Sequence, residues 1–172
     1  MKIDINAGHT AIGAGSGAVY KGWHESDIVR DVVRALTPLL RAKGHDVKTV
    51  NVDRASTQNA YLKSVCQLAN ATGADLFLSI HCNASVTHLG KGCEAYTWKG
   101  RKVKQAVSIC DNLSTLGFKN RGVKDGSKLY VVKHTSATAI LVELFFLDHS
   151  TDRALYEQHG PAKIAEAIAN AL

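Results

Sequence analysis

The 172-residue sequence predicts one α/β domain with three layers, in which a mixed, mostly parallel sheet carries helices on both faces. Short apolar segments alternate with longer segments of helical periodicity along the whole chain, as in sheets covered on both sides. The short apolar run 76–80 is typical of a buried strand. A chain of this length suits a single domain of about 100–200 residues, so we expect one domain over residues 1–172.

The individual elements follow from periodicity and from turn residues. Alternating apolar residues predict a first strand over 2–6, followed by a glycine-bearing loop over 7–24. Apolar residues at helical spacing predict a helix over about 25–43, capped by Gly44. The remaining predicted elements are a strand at 47–50, a helix between Ser56 and Gly73, strands at 76–80 and 94–98, a helix from 103 to Gly117, strands at 129–132 and 139–142, and helical segments on either side of Gly160-Pro161.

The composition is that of an ordinary globular protein, with 45% hydrophobic and 21% charged residues. The net charge of +6 favours an anionic partner, such as nucleic acid, a membrane surface or an acidic polymer, without choosing among them. No apolar run reaches the ~18 residues of a membrane span. Asp4 falls where a secretory signal needs its apolar core, so we expect no signal peptide. The four cysteines form no C-x-x-C pair, and we expect them to be reduced packing residues.

Four polar side chains lie at the ends of predicted elements. His9 follows the first strand, His81 follows the strand 76–80, Glu143 follows the strand 139–142, and Glu25 opens the first long helix. Ligands bind beyond the carboxyl ends of the strands in open α/β sheets, so these residues can converge. Two imidazoles and a carboxylate suit a catalytic zinc ion, and a further carboxylate suits a base that takes a proton from water.

Other interpretations remain open on the residues alone. Each histidine also fits a hydrogen-bonded structural role, and Glu25 fits a charge that stabilises its helix N-terminus. Gly13-x-Gly15-x-x-Ala18 matches the relaxed dinucleotide fingerprint, but the helical pattern starts several residues too late, which favours a surface loop shaped by glycines. The basic segment 119–128 is predicted to be a solvated loop able to contact an anion. It lacks interleaved aromatic residues, so we expect no nucleic-acid partner.

Five stretches occur in an order and spacing that together are specific: 5–9 (INAGH), Glu25, 78–84 (LSIHCNA), 120–124 (NRGVK) and 141–147 (LVELFFL). Together they resemble the zinc-dependent N-acetylmuramoyl-L-alanine amidases of the Amidase_3 type, found in bacterial autolysins and phage endolysins. The resemblance extends from residue 2 to about residue 157. It implies that His9, Glu25 and His81 bind Zn²⁺ and that Glu143 is the catalytic glutamate. The implied reaction is hydrolysis of the amide between N-acetylmuramic acid and L-alanine in peptidoglycan.

The sequence departs from the family pattern in three places. Thr10 and the pair Phe145-Phe146 stand where the family often has glycine, and Lys63 replaces an arginine that is usual in the second helix. None of these departures removes an implied zinc ligand. They bear instead on the shape of the substrate groove and on the preferred stem peptide.

The sequence shows no wall-binding repeats, which makes the resemblance closest to a phage endolysin or its isolated catalytic domain. We expect such a protein to be made in the cytoplasm, that of the host if phage-encoded, and to reach the bacterial cell wall after release. A wall-binding domain would then lie outside this chain. The alternatives from other classes are a non-catalytic cell-wall-binding module on the same fold and a nucleotide-binding enzyme that uses the loop 13–18.

Overall fold

Strands and helices alternate along residues 1–172 of the computed structural model. The strands are β1 (Lys2–Ala7), β2 (Val19–Tyr20), β3 (Trp23–His24), β4 (Asp46–Thr49), β5 (Leu76–Asn83), β6 (Cys93–Thr97), β7 (Asn120–Asp125) and β8 (Thr138–Phe146). The helices are α1 (Glu25–Ala42), α2 (Gln58–Thr72), α3 (Lys104–Thr115), α4 (Tyr130–His134) and α5 (Ser150–Ala169), with a 3₁₀ turn at Trp98–Gly100. None of these helices has the length and apolar composition to cross a membrane.

Six strands form the central sheet, in the order β4-β1-β5-β8-β6-β7. Neighbouring strands run parallel except β6 and β8, which pair antiparallel. Strands β2 and β3 form a separate small hairpin. The prediction of a mixed, mostly parallel sheet in a single α/β domain is therefore confirmed.

Helices cover both faces of this sheet, as predicted. A core cluster of 31 buried residues joins the sheet to α1, α3 and α5 on one face, while a cluster of 10 joins it to α2 and α4 on the other. The second cluster is smaller because polar side chains take up part of that face. Asn6 and Ser79, which are both buried, alternate along their strands with the apolar residues of the larger core.

Two predicted strands differ from the structure. Residues 129–132 do not form a strand, because a turn closed by the Leu129 amide and the Gly126 carbonyl leads into the short helix α4. Val131 and Val132 are buried there against α2, so tertiary packing overrides their β propensity. The strand predicted at 139–142 is longer and extends from Thr138 to Phe146.

Three further sequence predictions need correction. Residues 120–125 form the edge strand β7 instead of a solvated loop, with Val123 opposite Ala95 of β6. The loop 7–24 contains the hairpin of β2 and β3. Thr57, and not Ser56, caps α2, because its hydroxyl accepts the amide of Ala60 at 3.1 Å.

Two predictions about local structure are confirmed. The two C-terminal helical segments are continuous except for a kink at Gly160, which has a φ of +68°. All four cysteines are free and buried.

The packing of α1 against the sheet yields a stability prediction. Leu36 is fully buried, so Leu36→Ala should lower the free energy of unfolding by about 2–5 kcal/mol, as cavities in well-packed cores do. Leu68 on α2 is 45% exposed, and Leu68→Ala should change it by less than about 0.5 kcal/mol. Urea unfolding of both variants measures the difference. Equal losses would contradict the packing of α1 described here.

Candidate metal centre and catalytic cleft

Three side chains from separate parts of the chain meet at one end of the sheet. His9 lies in the loop after β1, Glu25 is the first residue of α1, and His81 lies near the end of β5. His9 Nε2 is 3.0 Å from Glu25 Oε1 and 3.1 Å from His81 Nδ1, which is 3.2 Å from Glu25 Oε1. The structure therefore brings together the three residues that the sequence singled out as metal ligands.

The remaining polar atoms of the two imidazoles are already engaged. His9 Nδ1 donates to the carbonyl of Gly15 at 2.9 Å, so its Nε2 presents a lone pair. His81 Nε2 donates at 3.1 Å to the hydroxyl of Ser79, which itself donates to Asn6 at 3.0 Å. His81 Nδ1 thus also presents a lone pair. Two nitrogen lone pairs and a carboxylate oxygen consequently face one another.

Backbone amides hold the carboxylate of Glu25 in place. Its Oε2 accepts the amide of Ala18 at 2.9 Å, and its Oε1 accepts the amide of Cys82 at 3.0 Å. Burial opposes a charge on Glu25, but the imidazoles of His81 and His9 outweigh it and hold the pKa of this carboxyl well below its usual range. Glu25 is therefore ionised, the form in which a carboxylate binds a metal.

The two histidines differ in their affinity for a proton. Burial lowers the pKa of His81, although the Glu25 carboxylate opposes the shift. Burial also disfavours charged His9, but there the Glu25 carboxylate outweighs it and raises the pKa. A single proton on His9 can balance the carboxylate when no metal is bound.

A tetrahedral metal ion fits this arrangement. Zinc bonds of 2.0–2.1 Å place neighbouring ligand atoms about 3.3 Å apart, close to the three separations in the cluster. When both imidazoles are neutral, the three acceptors repel one another unless a proton or a metal cation lies among them. His9, Glu25 and His81 could therefore hold a divalent ion, as the donor set and its spacing both allow.

Two glycines leave the space that the cluster occupies. A Cβ atom on Gly8 would overlap the ring of His81. A Cβ atom on Gly17 would lie 2.7 Å from Glu25 Oε2 and 2.8 Å from the His9 ring, and Gly17 also has a φ of +85°. His9 itself has a φ of +68°, which is uncommon for a residue with a side chain.

Glu143 lies inside β8, not after the strand as predicted. It is paired in register with His81 of β5 on one side and with Glu94 of β6 on the other. Its Oε2 is buried and has no hydrogen-bond partner. Burial, followed by the charges of Glu25 and Glu94, raises the pKa of Glu143 well above its usual range. Glu143 thus contributes a carboxyl group with an unpartnered oxygen to the lining of the cleft that also contains the cluster.

Sequence reasoning missed Glu94, a buried carboxylate beside Glu143. Its Oε2 accepts Arg121 Nε at 2.8 Å, and its Oε1 accepts Asn83 Nδ2 and the Tyr96 hydroxyl, each at 2.9 Å. A glutamate between the small residues Cys93 and Ala95 in a predicted strand was the signal that could have found it.

The cluster and Glu143 line one open cleft of about 530 Å³. Gln58, Leu62 and Leu129 extend its walls, and Lys128 is its one lysine or arginine. The family departures lie elsewhere. Phe145 and Phe146 are buried outside the cleft, Lys63 lines a separate depression, and the hydroxyl of Thr10 bonds the carbonyl of Ala14. The expectation that these positions shape the groove is therefore not supported.

The glycine loop 13–18 contacts the cleft, and its last residue, Ala18, is part of the lining. The carbonyl of Gly15 accepts a hydrogen bond from His9, and the amide of Ala18 donates one to Glu25. The β2–β3 hairpin then follows before α1 begins. No helix opens within the glycine turn, which a dinucleotide site requires. The nucleotide-binding alternative therefore lacks its structural basis.

The chain is similar to known proteins along nearly its whole length. The Amidase_3 family model, described as N-acetylmuramoyl-L-alanine amidase, matches residues 3–172. The endolysin of Bacillus phage SPP1 is 32% identical over 163 residues, which cover 90% of this chain and 58% of that protein. The uncharacterized protein CPE1502 of Clostridium perfringens is 36% identical over 177 residues, which cover 100% of this chain and 51% of that protein. The chain thus spans about half the length of these two relatives.

One solved structure is particularly similar. The catalytic domain of the CD27L endolysin, which targets Clostridia Difficile, has a TM-score of 0.91 and 31% sequence identity. The match covers 99% of this chain and 96% of that domain.

The role of Gly17 can be tested against Gly13. Both have nearly the same φ, +85° and +84°, but nothing lies within 4 Å of a Cβ atom at Gly13. Gly17→Ala should weaken Zn²⁺ binding about tenfold or more, because the added methyl group displaces Glu25 and His9. Gly13→Ala carries the same backbone strain and should keep the affinity of the unaltered chain. Dye-competition titration measures both, and equal losses would mean that backbone strain alone is responsible.

Proposed function

The chain belongs to the Amidase_3 family of N-acetylmuramoyl-L-alanine amidases, and we propose that residues 1–172 are the zinc-dependent catalytic domain of a peptidoglycan hydrolase. Its reaction is hydrolysis of the amide between N-acetylmuramic acid and the L-alanine that begins the stem peptide. Cleavage of this bond frees the peptide from the glycan strand and so weakens the bacterial cell wall.

The convergence of three ligand atoms beside an unpartnered carboxylate carries this proposal. The ligand atoms of His9, Glu25 and His81 lie within 4.8 Å of one another, and Glu143, which has a buried unpartnered oxygen, lines the same cleft. A metal with an open position and a nearby base is the arrangement used for hydrolysis of unreactive amides. The family description, N-acetylmuramoyl-L-alanine amidase, supports this reaction, and the two endolysins that resemble this chain support the broader proposal of a peptidoglycan hydrolase.

We assign the metal ligands as His9 Nε2, Glu25 Oε1 and His81 Nδ1, and the ion as Zn²⁺. When bound, zinc would lower the pKa of a bound water to about 7 and polarise the carbonyl oxygen of the substrate. Ser79 and the Gly15 carbonyl fix the two imidazoles, so the nitrogens face the ion without rearrangement.

Glu143 serves as the general base and then as the general acid. Its carboxylate takes a proton from the attacking water as the water oxygen bonds to the lactyl carbonyl carbon. When the carbon–nitrogen bond breaks, the same proton passes from Glu143 to the leaving amine of L-alanine. The raised pKa of Glu143 suits a group that must both accept and return a proton. The products are a free lactyl carboxylic acid and a free alanine amino terminus.

The partner is peptidoglycan, and the open cleft suits a polymer better than a small enclosed ligand. The net positive charge of +6 favours association with an anionic wall. We propose that the protein acts at the cell wall after synthesis in the cytoplasm. Because the relatives are longer, we also propose that a wall-binding domain accompanies this domain in the whole protein.

The products of peptidoglycan digestion test the reaction directly. We expect mass spectrometry of digested, purified peptidoglycan to show new L-alanine amino termini, and a chelator to abolish them because the metal is required. New reducing sugar ends or cut cross-links would instead identify a different bond. If no cleavage product appears, the result would favour the non-catalytic wall-binding alternative.

The roles of Glu143 and His81 can be separated by substitution. Glu143→Gln should keep the metal but lower hydrolysis on the order of 10²- to 10⁴-fold, the usual contribution of general acid–base catalysis. His81→Ala should lose the metal itself. Glu166→Gln, which alters an exposed glutamate paired with Lys163, is the matched control and should hydrolyse normally. Turnover of Glu143→Gln near the unaltered rate, or unchanged zinc content in His81→Ala, would refute the corresponding assignment.

A further inference from the structure

Arg30, on the second turn of α1, contacts the backbone of a proposed metal ligand. Its Nη2 donates to the carbonyl of His9 at 3.0 Å and to Asp53 Oδ1 at 2.9 Å, while its Nη1 donates to the carbonyl of Ser26 at 3.1 Å. The Arg30 side chain is only 16% exposed. The guanidinium therefore joins α1, the loop after β1 and the segment between β4 and α2.

The backbone that Arg30 holds is an unusual one. His9 has a φ of +68°, in the left-handed region that residues with a Cβ atom seldom occupy. The conformation directs the imidazole toward Glu25 and the His9 carbonyl toward Arg30. Beyond it, the amide of Ala11 donates to the carbonyl of Asp53 at 3.0 Å, so the same segment secures the loop a second time.

We propose that Arg30 is a positioning residue that keeps His9 in its metal-binding conformation, an inference that rests on the metal centre proposed above. The planar guanidinium reaches three acceptors on three segments at once, whereas a lysine ammonium is a single point on a flexible stem. The ion pair with Asp53 is not by itself the reason for the contact, because Asp53 is 68% exposed and exposed pairs contribute little.

Zinc affinity and backbone exchange test this role without any measurement of hydrolysis. Arg30→Gln should weaken Zn²⁺ binding about 10- to 100-fold, as the loss of groups that orient metal ligands does. In the metal-free protein, the Ala11 amide should exchange with deuterium faster. Arg30→Lys should not recover the Zn²⁺ affinity, because lysine keeps the positive charge but lacks the planar guanidinium that reaches three acceptors at once. Full recovery would overturn the positioning role, because charge alone would then suffice.

Two variants of the same helix separate positioning from a general loss of stability. Thr37→Val removes a buried side-chain hydrogen bond to the Val33 carbonyl, far along α1 from the cluster, and should lower stability without changing zinc affinity. Arg34→Gln removes an exposed arginine paired with Asp31 and should change neither. If Arg30→Gln kept its Zn²⁺ affinity, or if Thr37→Val lost as much Zn²⁺ affinity as Arg30→Gln, the positioning role of Arg30 would be overturned. The proposed metal centre would not be affected. Absence of zinc binding by the unaltered chain would overturn the metal centre as well.

Discussion

The buried carboxylate of Glu25 is the constraint around which this end of the molecule is arranged. Only 4% of its side chain is exposed, and a charge so deeply buried is stable only when its surroundings compensate it. Compensation comes from the amides of Ala18 and Cys82 and from the imidazoles of His9 and His81. The glycine loop, the start of α1 and the end of β5 are therefore fixed together around one charge, and the cleft takes its shape from them.

Most of the fold followed from the sequence because periodicity reports which residues are buried. The apolar stripe of α1 and the buried run of β5 were strong signals of this kind. The predictions of secondary structure were wrong where the burial of a residue and its local propensity favour different structures. Val131 and Val132 favour a strand but complete a short helix over α2, and β7 is an edge strand whose polar residues carry no alternation to detect.

The reactive groups of the candidate site could be predicted from the sequence. The residues that leave space for these groups, or hold them in position, could not. The sequence pattern placed His9, Glu25, His81 and Glu143 at predicted strand ends or at a helix start, which suggested that they meet, although Glu143 lies inside the longer strand β8. The need for glycine at position 17 depends on how the loop folds back, and no sequence pattern reveals that distance. Arg30 was equally hidden, because a polar residue on an amphipathic helix ordinarily faces solvent.

The two edge strands of the sheet affect whether copies of the molecule associate. Strands β4 and β7 each have a strand neighbour on one side only. The other side of an edge strand can form backbone hydrogen bonds with a strand of another chain. Strand β4 has only 4 residues, and the exposed lysines Lys48 and Lys124 lie on β4 and β7. Edge-to-edge pairing of two molecules would have to strip water from these charged side chains. The sheet is thereby protected from growing into an aggregate at high concentration.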